Sequence, residues 1–226
     1  MVNVEKEFKK NPSGQAVARY LISIEAINFR PQDPYKLTSG WASPVYIDCR
    51  KVISYLKQRR TIIEMAVELI KRDVNSPIDM VAGGETAGIP YAAWISETLS
   101  KPMLYVRKHP KGFGKMAQIE GDMPDDCNVL LVEDLATDGE SKIKFINALR
   151  EAGATVTDVF VIFFYGAFPG AEETMAKAGV KMHYLCDWWD VLAVAETGGN
   201  FTTEEINGVR EFLADPVAWS TDHGGI

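Results

Sequence analysis

The chain has 226 residues, enough for one domain or one domain with a small appendage, and 46% of them are hydrophobic, enough for a full core. Its net charge of −7 argues against non-specific nucleic-acid binding, which needs a basic surface, and no apolar run reaches membrane-spanning length. Three widely spaced cysteines, Cys49, Cys127 and Cys186, fit reduced thiols in the cytoplasm better than a disulfide framework, and His109, His183 and His223 have no metal-ligand spacing.

Residues 1–11 lack the apolar core of a signal peptide. Residues 14–28, GQAVARYLISIEAIN, place Val17, Tyr20, Leu21, Ile24 and Ile27 at helical spacing, which predicts a packing helix with one apolar face. Residues 35–50, YKLTSGWASPVYIDCR, combine turn signals at Ser39–Gly40 and Ser43–Pro44 with a strand-like run at Val45–Asp48, the pattern of a hairpin. Residues 57–73 form an amphipathic helix with Ile62, Ile63, Ala66, Leu69 and Ile70 inward. Ile78–Gly83 reads as a strand, followed by Gly83–Pro90, GGETAGIP, whose glycines allow a ligand close to the backbone, and by a helix over Ile89–Leu99.

Met103–Val106 is the next strand, and it runs into a loop at Arg107–Gly121. Five of the nine residues from Arg107 to Lys115 are basic, counting His109. Such a loop is either a solvated charged turn or a device that neutralises a departing anion. Val129–Ser141, VLLVEDLATDGES, is the most informative stretch. A short β-branched run has the pattern of a strand buried on both faces, and it ends in the acid pair Glu133–Asp134. Thr137, Gly139 and Ser141 then lead into a helix over Lys142–Ala152. Backbone N–H groups and the helix dipole suit a phosphate there, and the carboxylates suit ribose hydroxyls or a cationic transition state. The ordinary alternative is a strand–loop–helix unit with a polar turn.

Thr155–Tyr165 reads as a buried strand, Pro169–Gly179 as a helix and Val180–Cys186 as a last strand. Thr202 and Glu205 form a capping box for a helix through about Leu213, and Asp215–Ile226 reads as a loosely held tail. The alternation predicts an α/β fold with a mostly parallel central sheet flanked by helices.

Four of these segments, in this order, resemble motifs of the type I phosphoribosyltransferases, and of the orotate phosphoribosyltransferases in particular. Val129–Ser141 resembles the motif that binds phosphoribosyl pyrophosphate (PRPP). Residues 35–50 are similar to the family's hood hairpin, LxSGxxSPxYxDxR, through Leu37, Ser39, Gly40, Ser43, Pro44, Tyr46, Asp48 and Arg50. Gly83–Pro90 resembles the pyrophosphate loop, with Thr86, Ala87 and Gly88 matching, and Arg107, Lys108, Lys111 and Gly114 match the catalytic loop. The chain departs from the family at Thr38, where many members carry lysine, and at Phe113, where the loop histidine falls; His109 lies in the same loop. One branch has an arginine after the strand ending near Tyr165, and Gly166 and Ala167 follow here instead.

The resemblance implies the type I phosphoribosyltransferase fold with an N-terminal hood, divided as an N-terminal helix and hood over 1–60, a core over 61–195 and a C-terminal helix and tail over 196–226. It implies a phosphoribosyltransferase that makes orotidine 5′-monophosphate and pyrophosphate from orotate and PRPP in pyrimidine synthesis. Arg107, Lys108 and Lys111 would be catalytic. PRPP would be held by Glu133, Asp134, Leu135, Ala136, Thr137, Asp138, Gly139, Glu140 and Ser141, together with Glu85, Thr86, Ala87 and Gly88. Orotate would be held by Lys36, Tyr46 and Thr137. Mg²⁺ would be held mainly by substrate, without dedicated protein ligands. The implied partners are PRPP, orotate and a second copy of the chain in a cytoplasmic homodimer with shared sites. Two alternatives remain at this level: a phosphoribosyltransferase for another base, and a PRPP-binding regulator without turnover.

Overall fold

The computed structural model describes residues 11–37, 39–112, 114, 117–137 and 139–226, with Glu140 described by its backbone alone. The chain divides into two compact units, Met1–Tyr55 together with Cys186–Ile226, and Leu56–Leu185. The first part of the chain contains α1 (Pro12–Ser23), β1 (Ile27–Phe29), β2 (Tyr35–Lys36), β3 (Ala42–Ser43), β4 (Val45–Ile47) and a 3₁₀ helix (Cys49–Ser54). The middle contains α2 (Leu56–Asp73), β5 (Met80–Gly84), α3 (Gly88–Leu99), β6 (Met103–Val106) and β7 (Ile119–Glu120). It continues with β8 (Val129–Ala136), α4 (Glu140–Glu151), β9 (Asp158–Phe164), α5 (Ala171–Lys177) and β10 (Lys181–Asp187). The chain ends in α6 (Trp188–Gly198), α7 (Thr203–Ala214) and α8 (Pro216–Asp222).

The unit Leu56–Leu185 is built on a six-stranded sheet in the order β10–β9–β8–β5–β6–β7. β5 pairs in parallel with both β6 and β8, β8 pairs in parallel with β9, and the short β7 runs antiparallel to β6. The apolar runs explain the arrangement. Every residue of β5 and of β9 is buried, as are the first five of β8, so these strands need cover on both faces. Leu104, Leu131, Phe145, Leu149 and Val161 belong to one continuous core cluster. The expected α/β fold with a mostly parallel central sheet is the fold observed. Connectivity reverses at its centre: α3 carries the chain from β5 to β6 on one side, and α4 carries it from β8 to β9 on the other. In such sheets the crevice beyond the carboxyl ends at the reversal, here between β5 and β8, is where ligands bind.

In the other unit three expectations are corrected. The helix expected over 14–28 runs from Pro12 to Ser23 instead, started by Asn11, whose side chain accepts from the Gly14 N–H at 3.1 Å. Glu25 then adopts φ 56°, which turns the chain so that Ile27 pairs with Ile47 in an antiparallel β1–β4 ladder rather than extending the helix. The hairpin is made by β2 and β3, with Tyr35 opposite Ser43 and Lys36 opposite Ala42, so that Val45–Ile47 belongs to a separate pair. The tail is ordered as α8: Asp215 accepts from the Ala218 N–H, Trp219 meets Phe212 edge-on at 5.5 Å, and buried Ser220 accepts from the Ala42 N–H at 2.9 Å. The Thr202–Glu205 capping box forms as expected, and a second box, Asp187 with Asp190, starts the unforeseen α6. No helix among the described residues is long and apolar enough to cross a membrane.

Candidate active site

β8 delivers the acid pair to the carboxyl edge of the sheet. Strand alternation sends the two side chains to opposite faces: Glu133 is buried at 5% exposure, and Asp134 is half-buried. α4 begins after Gly139, whose φ of 83° is a conformation that glycine adopts without strain. The first turn of a helix has N–H groups without intrahelical partners, so this end of α4 is suited to an anion. Thr137 is exposed beside it. Asp138 and the Glu140 side chain lie outside the described residues.

Glu133 is unusual for a carboxylate. Its Oε2 lies 3.7 Å from the Lys142 ammonium, near enough for attraction but too long for a hydrogen bond, and both side chains are buried. Its Oε1 has no hydrogen-bond partner. Burial is the main cause that pushes the Glu133 carboxyl up to about 8, with Asp134 adding to the rise and Lys142 opposing it. Lys142 in turn donates to Ser141 Oγ at 3.2 Å. The sequence places Lys142 at the start of a helix but does not show its pairing with Glu133. Its available signal was position, because a lysine in the first turn of a helix opposes the helix dipole.

The loop after β5 comes close to this carboxyl. A Cβ on Gly88 would lie 2.7 Å from Glu133 Oε1 and 2.5 Å from the Val132 carbonyl oxygen, and one on Gly84 would collide with the same carboxyl and with the Phe145 ring. Glycine is therefore required at both positions for packing. The loop contains a cis peptide between Glu85 and Thr86. Thr86 is exposed and Ala87 half-buried. Glu85 itself is half-buried. Its carboxylate accepts from the Lys108 N–H at 2.7 Å, joining the loop after β5 to the loop after β6.

The basic loop is anchored at its base. The Arg107 N–H donates to the Gln118 carbonyl at 2.8 Å, Gln118 Nε2 donates back to the Arg107 carbonyl at 3.0 Å, and the Lys111 N–H donates to the Ala117 carbonyl at 2.7 Å. Arg107 is further held by Glu120 at 3.1 Å, whereas the Lys108 and Lys111 side chains are exposed. Phe113 lies outside the described residues, and His109 is exposed. β5, β6 and β8 are adjacent, so the fold brings the three loops to one edge.

Lys36 and Tyr46 belong to the other unit. Lys36 is exposed on β2, and Tyr46 is 37% exposed with its ring 5.2 Å from that of Tyr35. Arg30 covers the Tyr35 ring at 4.9 Å, a contact the sequence reading missed. Thr38 lies outside the described residues. Tyr165 is buried and stacks on Phe168 with ring centroids 6.1 Å apart. Among the described residues no group of three or more His, Cys, Asp or Glu side chains could hold a metal ion.

No family model matches the chain. The chain is 50% identical over 213 residues to orotate phosphoribosyltransferase of Ruegeria sp., covering 92% of this chain and 94% of that relative. It is 49% identical over 218 residues to orotate phosphoribosyltransferase of Sinorhizobium fredii, covering 96% of this chain and 94% of that relative. Among solved structures, orotate phosphoribosyltransferase from Aeropyrum pernix superposes with a TM-score of 0.70 at 33% identity, covering 81% of this chain and 99% of the other.

Proposed function

The chain belongs to the orotate phosphoribosyltransferase family, and from that premise we propose how its residues divide the work. The reaction joins orotate to the ribose of PRPP and releases pyrophosphate, a step of pyrimidine biosynthesis. C1′ becomes cationic as pyrophosphate departs, so the protein must hold both ends of PRPP and stabilise the charge leaving between them.

The first turn of α4, with Thr137, Gly139 and Ser141, holds the 5′-phosphate through backbone N–H groups. Leu135 and Ala136 supply the backbone that leads into that loop, and Asp138 and Glu140 belong to it by sequence. Glu133 and Asp134 accept hydrogen bonds from the ribose hydroxyls. Glu85, Thr86, Ala87 and Gly88 form the pyrophosphate loop, with Glu85 acting through its bond to the Lys108 N–H. Arg107, Lys108 and Lys111 neutralise the departing pyrophosphate. Lys36, Tyr46 and Thr137 bind orotate. A second copy of the chain completes the working unit, a cytoplasmic homodimer in which the basic loop serves the partner's site.

The donors at the sheet edge are carboxylate and hydroxyl oxygens, which suit a hard cation such as Mg²⁺, but among the described residues they do not make a cage. Bound by the oxygens of PRPP, Mg²⁺ would supply charge neutralisation on the pyrophosphate. No residue of this chain is assigned as its ligand.

The observation that carries the PRPP assignment is the approach of the loop after β5 and the first turn of α4 to Glu133 at the reversal of the sheet. Pyrophosphate release by the purified chain, given PRPP, Mg²⁺ and a panel of bases, tests it. Release is expected with orotate and not with uracil or adenine. Release with another base alone, or PRPP binding without release, would overturn it.

A further inference from the structure

A lysine in the first turn of a helix works against the helix dipole, and a buried one also loses its hydration. Lys142 is in that position, at 6% exposure. Its ammonium lies between Ser141 Oγ, at 3.2 Å, and Glu133 Oε2, at 3.7 Å. The opposite face of the same carboxyl meets the loop after β5, where Gly84 and Gly88 leave room for it. Glu133 Oε1, buried without a hydrogen-bond partner, is on that side. The carboxyl is therefore lodged between the two phosphate loops.

We propose that Lys142 is a positioning residue for the phosphoribosyl transfer: it holds the Glu133 carboxylate between the loop after β5 and the first turn of α4, so that the grip on the 5′-phosphate and the grip on the pyrophosphate are set together. The proposal rests on the assignment of those two loops made above. It gives Lys142 a task distinct from that of Lys108 and Lys111, since it acts through Glu133 and not on the leaving group.

The electrostatics agree with the geometry. Burial raises the Glu133 carboxyl to about 8 and Asp134 adds to the rise, while Lys142 and Lys108 oppose it. Among the described residues, Asp134 on β8, Lys142 on α4 and Lys108 in the loop after β6 are the charged groups that act on Glu133. Gly84 and Gly88, on β5 and α3, bring no charge. Without Lys142 the carboxyl keeps its proton to higher pH, and a protonated Glu133 is a poorer acceptor for a ribose hydroxyl.

The test titrates Glu133 directly in the ligand-free protein. The infrared band of its protonated carboxyl is identified by its loss in Glu133→Gln. In Lys142→Met the midpoint of that band is expected to rise by about one pH unit, and the acid limb of kcat/KM for PRPP is expected to rise with it, a drop of about tenfold at pH 7 that is regained at higher pH. Lys142→Arg should restore both. An unmoved midpoint, or a loss of kcat/KM that is equal at every pH, would overturn the proposal. Should Lys142→Met fail to fold, Lys142→Gln is read by the same two criteria. Wild-type protein that releases no pyrophosphate with orotate would sink the loop assignment instead, and the ligand-free titration does not depend on that result.

Discussion

Glu133 links stability to pH with a sign opposite to that of most carboxylates. Its ordinary value is 4.5, and in the folded chain burial raises it to about 8. Between those values the native state keeps a proton that the unfolded chain has released, so stability falls as pH rises. The contribution is fully present below about 4.5 and is lost as pH passes through about 8. Asp190, raised to about 7 by burial and by Asp187, adds a slope of the same sign. Glu133→Gln should therefore lose less melting temperature than wild type between pH 5.5 and pH 8.5, while keeping the slope from Asp190. An identical loss in both proteins would show that Glu133 does not hold its proton in the fold. Lys111 makes a different demand. Its side chain is exposed on the loop proposed to meet pyrophosphate, so it acts chiefly on the transition state. Lys111→Ala should lower kcat by about 10²–10³, with a smaller change in PRPP affinity. Steady-state kinetics beside calorimetric PRPP binding separates the two, and a loss confined to affinity would refute the role.

The site depends on how closely two elements approach. α3 starts at Gly88, directly against the Val132 carbonyl and the Glu133 carboxyl, so Gly88→Ala must push α3 away from β8 or displace Glu133. The expected cost is about 1–3 kcal/mol, read from the denaturant midpoint, together with weaker PRPP binding. Unchanged stability would mean that the two elements part freely. This region was largely legible in the sequence, because strands buried on both faces, such as β8 and β9, appear as plain apolar runs between turn signals. The other unit was less so, for physical reasons. Ile27 falls at helical spacing after Ile24, and only the backbone turn at Glu25 breaks the series. β1 and β4 have three residues each, too few for a periodic signal. α8 has only seven residues, too few for a periodic signal, and is held by Trp219 and Ser220, whose burial depends on residues distant in sequence. The three loops at the sheet edge are marked by motif in the sequence, but the Glu133–Lys142 pair is not, since a buried lysine and a solvated one are the same letter. The bond from the Lys108 N–H to Glu85 was not legible either, because a backbone partner leaves no trace in the sequence.

The whole molecule carries a net charge of −7 while its substrate PRPP is a polyanion, so the long-range field opposes their encounter and local cations must offset it. Those cations are concentrated in the loop after β6, and the acid pair stands at the end of β8. A closed two-fold dimer whose loops cross over would let each chain lend its cations to the other chain's acid pair. That arrangement can be tested without a structure of the dimer. Lys111→Ala chains lack a loop cation, and Asp134→Asn chains lack a ribose acceptor. Random exchange of equal amounts makes about half the dimers mixed, and with crossed loops each mixed dimer has one intact site and one doubly defective site. The mixture should then recover about a quarter of wild-type activity, far above either parent. With loops serving their own chains, every site in a mixed dimer carries one defect and no recovery occurs. Native mass spectrometry would verify the mixed dimers and their proportion. Activity that stays at the mean of the parents in verified mixed dimers would return Lys111 to its own chain's site.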